Sequence, residues 1–192
     1  MSSRPEPSEP RGRPRRRRGD RTAVSKRLAY VLRHDPGSVG LRLDPGGWVH
    51  IPELLSALAR AGLTLTPDEL RHVVETSDKQ RFAVAGDRIR ANHGHSVPVD
   101  LGLSPQAPPE LLFHGTVSRS LPAIRRHGLR PGSRQMVHLS ADEDTARAVG
   151  ARRGSPVVLE VRAGALAADG AEFFRSASGV WLVDHVPPDY LR

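Results

Sequence analysis

Cysteine is missing from all 192 residues. That excludes disulfides, a thiol nucleophile and a Cys-ligated zinc. It fits a reducing interior, and a cytoplasmic location is the expectation. Lysine is almost missing as well: of the 29 cationic residues, only Lys26 and Lys79 are not Arg. No apolar run approaches the roughly 20 residues that a membrane-spanning helix needs, so no membrane contact is expected. The N-terminus has no apolar core behind its charges, which excludes a secretory signal. No carboxylate pair or metal-ligand cluster stands out, and no metal is expected.

What is present is positive charge, unevenly placed. Residues 1–21 hold eight Arg against Glu6, Glu9 and Asp20, and so account for +5 of the net +8. This stretch, with Pro5, Pro7, Pro10, Pro14 and the run Arg15 to Arg18, reads as a disordered basic tail that cannot bury enough apolar surface to fold. It is either a tether for polyanions or a solubilising leader.

The rest divides in two. Val24, Leu28, Val31 and Leu32 share one face and predict a helix over 22–34. Asp35-Pro36-Gly37 stops it, because proline disfavours helical geometry in the residue before it. Trp48 to Ile51 reads as a short strand, and Pro52 opens a helix closed by Gly62. Thr66, Pro67 and Glu69 form a capping box for a helix running to about Thr76. Residues 81–92 read as a hairpin around Ala85-Gly86-Asp87, with Phe82, Val84 and Ile89 alternating. Helices followed by a two-stranded wing predict a winged-helix lobe over 22–97. A Pro-rich linker follows over 98–109. Residues 110–192 read as a second, α+β lobe. It has strands at Leu111 to Phe113, Val137 to Leu139, Pro156 to Val161, Phe173-Phe174 and Val180 to Val183. Ser120 starts a short helix that ends at Gly128, and Ser140 with Glu143 looks like a capping box for a helix over 141–151.

Four basic side chains stand at element ends: Arg33 and His34 after the first helix, Arg81 at the start of the wing, and Arg152 after the 141–151 helix. A guanidinium fork fits two phosphate oxygens, so an Arg/His set suits phosphoryl or nucleotide chemistry. Taken singly, each has an ordinary explanation. Arg81 reads as a solvated hairpin residue, and Arg152 with Arg153 as helix C-terminal cations. His114-Gly115-Thr116 reads as a turn at a strand end, His138 as a core histidine and Ser140 as a cap. A Gly at a strand end also lets a ligand approach the backbone, and a hydroxyl and an imidazole can bond ribose and amide groups.

In order along the chain stand Leu32-Arg33-His34-Asp35-Pro36, Asp78 to Phe82, Arg90-Ala91-Asn92 through Gly94-His95-Ser96, His114-Gly115-Thr116, Val137 to Ser140, Val149-Gly150 to Gly154, and Gly179 to Leu182 with Val186-Pro187-Pro188. Over about residues 22–192 this closely resembles the RNA 2′-phosphotransferase family (KptA, the tRNA 2′-phosphotransferases). The resemblance implies an N-terminal winged-helix lobe and a C-terminal ADP-ribosyltransferase-like lobe, with NAD consumed as co-substrate and 2′-phosphorylated RNA as partner. The RNA 2′-phosphate would attack the anomeric carbon of the nicotinamide ribose and expel nicotinamide. The neighbouring ribose hydroxyl would then attack phosphorus, giving RNA with a free 2′-hydroxyl and ADP-ribose 1″,2″-cyclic phosphate. A tRNA splicing junction is one source of such RNA. The resemblance assigns Arg33, His34, Arg81 and Arg152 to catalysis without a metal. It assigns His114, Gly115, Thr116, Arg134, His138, Ser140 and Val180 to the NAD pocket.

Val180 stands where protein-modifying ADP-ribosyltransferases usually carry a catalytic Glu, which argues against transfer to protein side chains. Met136 stands where a His is frequent, Ser178 where an Asn is usual, and His93 where a Gln is common. The alternative enzyme is an ADP-ribosyltransferase that caps terminal phosphates of RNA or DNA and stops there. A winged-helix binder with a decayed second lobe is the reading from another class. Nothing in the chain points to an obligate interface, so a monomer is expected.

Overall fold

The computed structural model describes residues 18–77 and 80–192. Most of the expected basic tail, together with Asp78 and Lys79, lies outside these residues. The first helix, α1 (Arg18–Arg33), begins four residues earlier than the apolar spacing predicts. Its expected face is the buried one: Val24 is 3% exposed, and Leu28, Val31 and Leu32 are 0% exposed. At about 2 kcal/mol for each large aliphatic side chain, this stripe fixes α1 against its neighbours. A 3-10 turn over Pro36–Val39 follows, with Asp35 Oδ1 accepting from the Ser38 amide at 2.9 Å.

Next come β1 (Val49–His50), α2 (Ile51–Arg60) and α3 (Pro67–Glu75). The α3 capping box is present in both directions: Thr66 Oγ1 accepts from the Glu69 amide at 3.1 Å, and Glu69 Oε2 accepts from the Thr66 amide at 2.8 Å. Strands β2 (Phe82–Ala85) and β3 (Arg88–Ala91) make the hairpin. β1 adds to its other edge, giving an antiparallel sheet of order β1-β3-β2 rather than an isolated two-stranded wing. Phe82 and Ile89 face the core, but Val84 is 42% exposed, contrary to the alternation expected of it. Val84 is the register partner of Ile89, and exposure continues into Ala85, the last residue of β2.

A second buried cluster is built from β4 (Leu111–Val117), α4 (Leu121–His127), β5 (Val137–Leu139), α5 (Glu143–Gly150), β6 (Pro156–Arg162), α6 (Ala163–Ala168), β7 (Phe174–Arg175) and β8 (Trp181–Val183). β4 pairs with β6 along seven residues, and β5, β8 and β7 form a second antiparallel sheet. Two hydrogen bonds between Phe113 and Ser140 join the sheets (2.9 and 2.8 Å). The architecture is thus α+β.

Three local readings are corrected here. His114, Gly115 and Thr116 lie inside β4, not in a turn after it. α5 is capped by Asp142, whose Oδ1 accepts from the Thr145 amide at 2.7 Å, and not by Ser140, whose backbone is bonded to Phe113. α6 is an element that the sequence reading did not foresee.

Gly115 explains why β4 and α5 can touch. A Cβ there would lie 1.7 Å from the Ala146 carbonyl oxygen and 2.8 Å from the Gly150 nitrogen. Both are backbone atoms of α5, one in its middle and one at its last residue, so neither can swing aside as a side chain would. Gly115→Ala should therefore destabilise the protein by about 3 kcal/mol, at the upper end of overpacking costs. A urea melt checks this; an unchanged midpoint would show that α5 yields freely.

Candidate active site

Arg33 is the last residue of α1, where unpaired helix carbonyls collect. The chain that follows β3 returns to cover them. The amides of Ser96 and Val97 donate to the Arg33 carbonyl at 2.8 and 3.4 Å. Gly94 (φ +87°) lies under the Arg33 side chain, with room for a Cβ only 3.7 Å from Nη1. Ser96 Oγ is 3.0 Å from His34 Nδ1, so the ring is oriented from that side and Nε2 is left for a ligand. Arg33 Nη2 donates to the Arg81 carbonyl at 3.4 Å.

Arg81 is aimed by a strained residue. Gln80, a non-glycine at φ +40°, sits where a Cβ is disfavoured. It is held there by two bonds. Its amide donates to the Ser77 carbonyl at 2.9 Å, and its carbonyl accepts from Asn92 Nδ2 at 2.5 Å. The Asn92 amide donates to the Arg81 carbonyl at 2.9 Å, and Asn92 is buried. The Arg81 guanidinium turns towards α1, with Nη1 3.3 Å from Ser25 Oγ and 3.4 Å from Ser77 Oγ.

The second half of the chain meets this corner through the 93–96 segment. The Gln135 amide donates to the His95 carbonyl at 3.1 Å, and the His93 and His138 rings are 5.3 Å apart. His114 Nδ1 lies 3.1 Å from the His138 carbonyl, which joins β4 to β5 at the same place. Arg134, on the turn before β5, is close enough to Arg33 and His34 to depress the pKa of each. It is itself depressed, first by the protein atoms crowding it and then by Arg153 and Arg152.

The electrostatics all run one way. Burial, with Arg81 and Arg134 nearby, brings Arg33 down to about 10. Partial burial, then Arg33 and Arg134, lowers His34. Burial followed by neighbouring Arg and His groups pushes His93 down to about 2, His95 to about 4 and His138 to about 3. His114 is lowered by burial and by Arg153 and Arg134, against its bond to the His138 carbonyl. The imidazoles are therefore neutral at pH 7 and the guanidiniums carry the charge. Among the described residues the Arg–carboxylate ion pairs, Arg71–Asp68, Arg88–Asp44 and Arg147–Glu143, all lie elsewhere. Five Arg side chains thus influence one another with no ion pair to a carboxylate among the described residues, and such a site suits an anion with several oxygens.

Of the residues picked out by sequence, Arg33, His34 and Arg81 stand together. Arg134, His138 and His114 join them from the second half. Arg152 belongs to the group through Arg134 and sits exposed in the 3-10 turn Ala151–Arg153. Gly115 faces α5. Thr116 is buried at 4% exposure, and Ser140 serves the β4–β5 junction. Val180 lies in the β7–β8 turn, where its amide donates to Ser176 Oγ at 3.1 Å. Asn92, Ser96, His93, His95 and Arg153 entered no site assignment. The close spacing of Asn92, His93, His95 and Ser96 was the available signal.

A cavity of about 710 Å³ lies between the 94–103 segment and the β7–β8 edge. It shares His138 with the site, but Asp100, Glu172 and Asp184 line it, and three carboxylates repel a phosphate.

The fold has two cores, and the arginine-rich corner where they meet, with no ion pair to a carboxylate among the described residues, suits a phosphorylated ligand. Comparison with known proteins makes this specific. The profile of the RNA 2′-phosphotransferase, Tpt1 / KptA family matches residues 19–185, and the chain belongs to that family. A Streptomyces coelicolor protein named "Probable RNA 2′-phosphotransferase" is 57% identical over 169 residues, covering 88% of this chain and 93% of its own. An Agrobacterium fabrum protein of the same name is 56% identical over 172 residues (88% and 92%). One from Acaryochloris marina is 49% identical over 170 residues (88% and 94%).

The buried imidazoles carry a stability consequence. Histidines depressed in the folded state bind protons only after unfolding, so stability falls as pH drops below the unfolded value near ~6.5. Between pH 6.5 and 5, His93, His95 and His138 should each cost up to about 2 kcal/mol. Urea melts from pH 7 to 5 should show this steep loss, and a flat profile would mean that these rings are not held neutral.

Proposed function

We propose that this chain is an NAD-dependent RNA 2′-phosphotransferase that removes an internal 2′-phosphate from RNA, releasing nicotinamide and ADP-ribose 1″,2″-cyclic phosphate. The observation that carries this reading is the grouping of Arg33, Arg81, Arg134, Arg152 and Arg153 with no ion pair to a carboxylate among the described residues. In it, residues 22–97 act as a winged-helix RNA-binding lobe, 98–109 as linker and 110–192 as an ADP-ribosyltransferase-like lobe. The enzyme works as a cytoplasmic monomer.

The residues present fit a dinucleotide. His138 Nε2 is buried without a partner, and neutral imidazoles can bond amide and ribose groups without adding charge. Arg134 and Arg153 suit a pyrophosphate. NAD, when bound, supplies the sugar carbon that takes up the RNA phosphate.

The chain's own part is to hold charge. Arg33, Arg81 and Arg152 grip the phosphate oxygens, so that the charge crowding onto phosphorus meets fixed guanidinium forks in place of a metal. His34, held by Ser96, offers Nε2 to the phosphate or to the departing ribose oxygen. A bound dianion beside His34 offsets Arg33 and Arg134 and raises its pKa towards the range where it can give up a proton. Val180 leaves no carboxylate to activate a protein acceptor.

Purified protein with NAD and an internally 2′-phosphorylated oligonucleotide should yield dephosphorylated RNA and the cyclic phosphate, and excess EDTA should not slow it. Arg33→Ala, His34→Ala and Arg152→Ala should each lower kcat/KM by about 10²-fold or more. Mass spectrometry of the RNA separates the outcomes. A lasting ADP-ribose adduct on a terminal phosphate would favour the capping enzyme, and unchanged rates in the variants would overturn the site.

A further inference from the structure

Behind Arg81 lies a second cavity, of about 470 Å³, that shares Arg81 with the site but none of Arg33, His34, Arg134 or Arg152. Among the described residues, Arg21, Thr22, Ser25, Thr76, Ser77 and Arg81 line it with one valine and no carboxylate. Arg21, Thr22 and Ser25 come from adjacent turns of α1; Thr76 and Ser77 come from the end of α3. Two cations and the hydroxyls of Ser25 and Ser77 around one polar hollow are a donor set for a phosphate.

The hollow is built rather than incidental. Ser25 is 7% exposed, yet its hydroxyl is kept there 3.3 Å from Arg81 Nη1. Arg21 Nη1 is fixed by His72 Nε2 at 2.9 Å, which ties α1 to α3 across the floor. α3 ends at this hollow, and its terminal carbonyls work against an anion. Thr76 Oγ1 covers one of them, donating to the His72 carbonyl at 2.6 Å. Two full positive charges outweigh the half charge of one helix end.

We propose that this pocket holds a second phosphate of the RNA, the diester next to the modified ribose, with Arg21 as its dedicated ligand and Arg81 shared between the two phosphates. The proposal rests on the function given above, because it takes RNA as the ligand. Arg21 then reads chain continuity: an oligonucleotide fills both sites, while a nucleoside 2′-phosphate fills one.

The test compares wild type with Arg21→Ala and Arg21→Lys on two oligonucleotides. Both carry an internal 2′-phosphate, but in one the diesters on either side of the modified ribose are uncharged methylphosphonates. On the native RNA, Arg21→Ala should raise KM about tenfold with little change in kcat, and Arg21→Lys should recover most of this. On the methylphosphonate RNA, the gap between wild type and Arg21→Ala should close. An equal loss on both RNAs would mean that Arg21 matters only through His72, and no loss on either would mean that the pocket is idle; both overturn the proposal. Direct binding without NAD separates this from a failure of the enzyme reading. Fluorescence anisotropy with the native RNA should show the slope of log K against log salt shallower by about 0.7 in Arg21→Ala, one single-strand phosphate contact. An unchanged slope would overturn the pocket even if the enzyme turns over as proposed.

Discussion

Everything in the site follows from holding like charges together with no ion pair to an acid among the described residues. Two guanidinium groups about 4 Å apart repel by roughly 4 kcal/mol at an effective dielectric of 20. Most proteins relieve this with a carboxylate. Here the relief comes from neutral acceptors: the Arg81 carbonyl for Arg33, and the hydroxyls of Ser25 and Ser77 for Arg81. These satisfy N–H groups without cancelling charge. The field that remains is available to an incoming anion; Arg33 and Arg134 are depressed first by burial and then by the neighbouring arginines. A carboxylate placed among them would stabilise the free protein and blunt its hold on a phosphate.

Backbone geometry makes the arrangement stiff. Gln80 at φ +40° is a local cost of about 1 kcal/mol or more, and Asn92 holds both it and Arg81 through bonds to successive carbonyls. The 94–97 segment does three things at once. It closes the open end of α1, passes beneath Arg33 at Gly94 and orients His34 through Ser96. The Gln135 amide then ties the second half of the chain to the same segment at His95. Arg33 and His34 are thus held from one stretch of chain, which is the kind of preorganisation that a site for a ligand requires.

The sequence shows most clearly what is local. The α1 face is legible because a 3.6-residue period needs no partner to be seen, and the Thr66–Glu69 box because both halves lie within one turn. Ser140 shows the limit. Ser140 to Glu143 and Asp142 to Thr145 both spell a helix start, and the choice between them was made by Phe113, on a different strand. Gly115 shows it again: a glycine admits close approach, but sequence does not say whether by a ligand or by α5. In the site, Arg33 and His34 were visible as a pair at a helix end. That Arg134 crowds both, and that Ser25 supports Arg81, depends on contacts 50 to 100 residues apart that no spacing rule encodes.

The histidines complete the logic of the arginines. A ligand with phosphate, ribose and amide groups needs directional donors and acceptors as well as charge, and a charged imidazole would add to repulsion that is already high. Burial among arginines keeps His93, His95 and His138 neutral, so each ring has one N–H and one lone pair. The price is that His93 Nδ1, His95 Nε2 and His138 Nε2 lie buried with no protein partner, at about 1–3 kcal/mol for each unsatisfied atom. His95 Nε2 lies against Gly47, where a Cβ would sit 3.5 Å from it. His138 differs, because it lies beside His114 and Arg134 where a ligand would enter. A polar group that is costly while empty gains most when a matching group arrives. The same residue that weakens the free fold therefore sharpens selection for a ligand that can satisfy it.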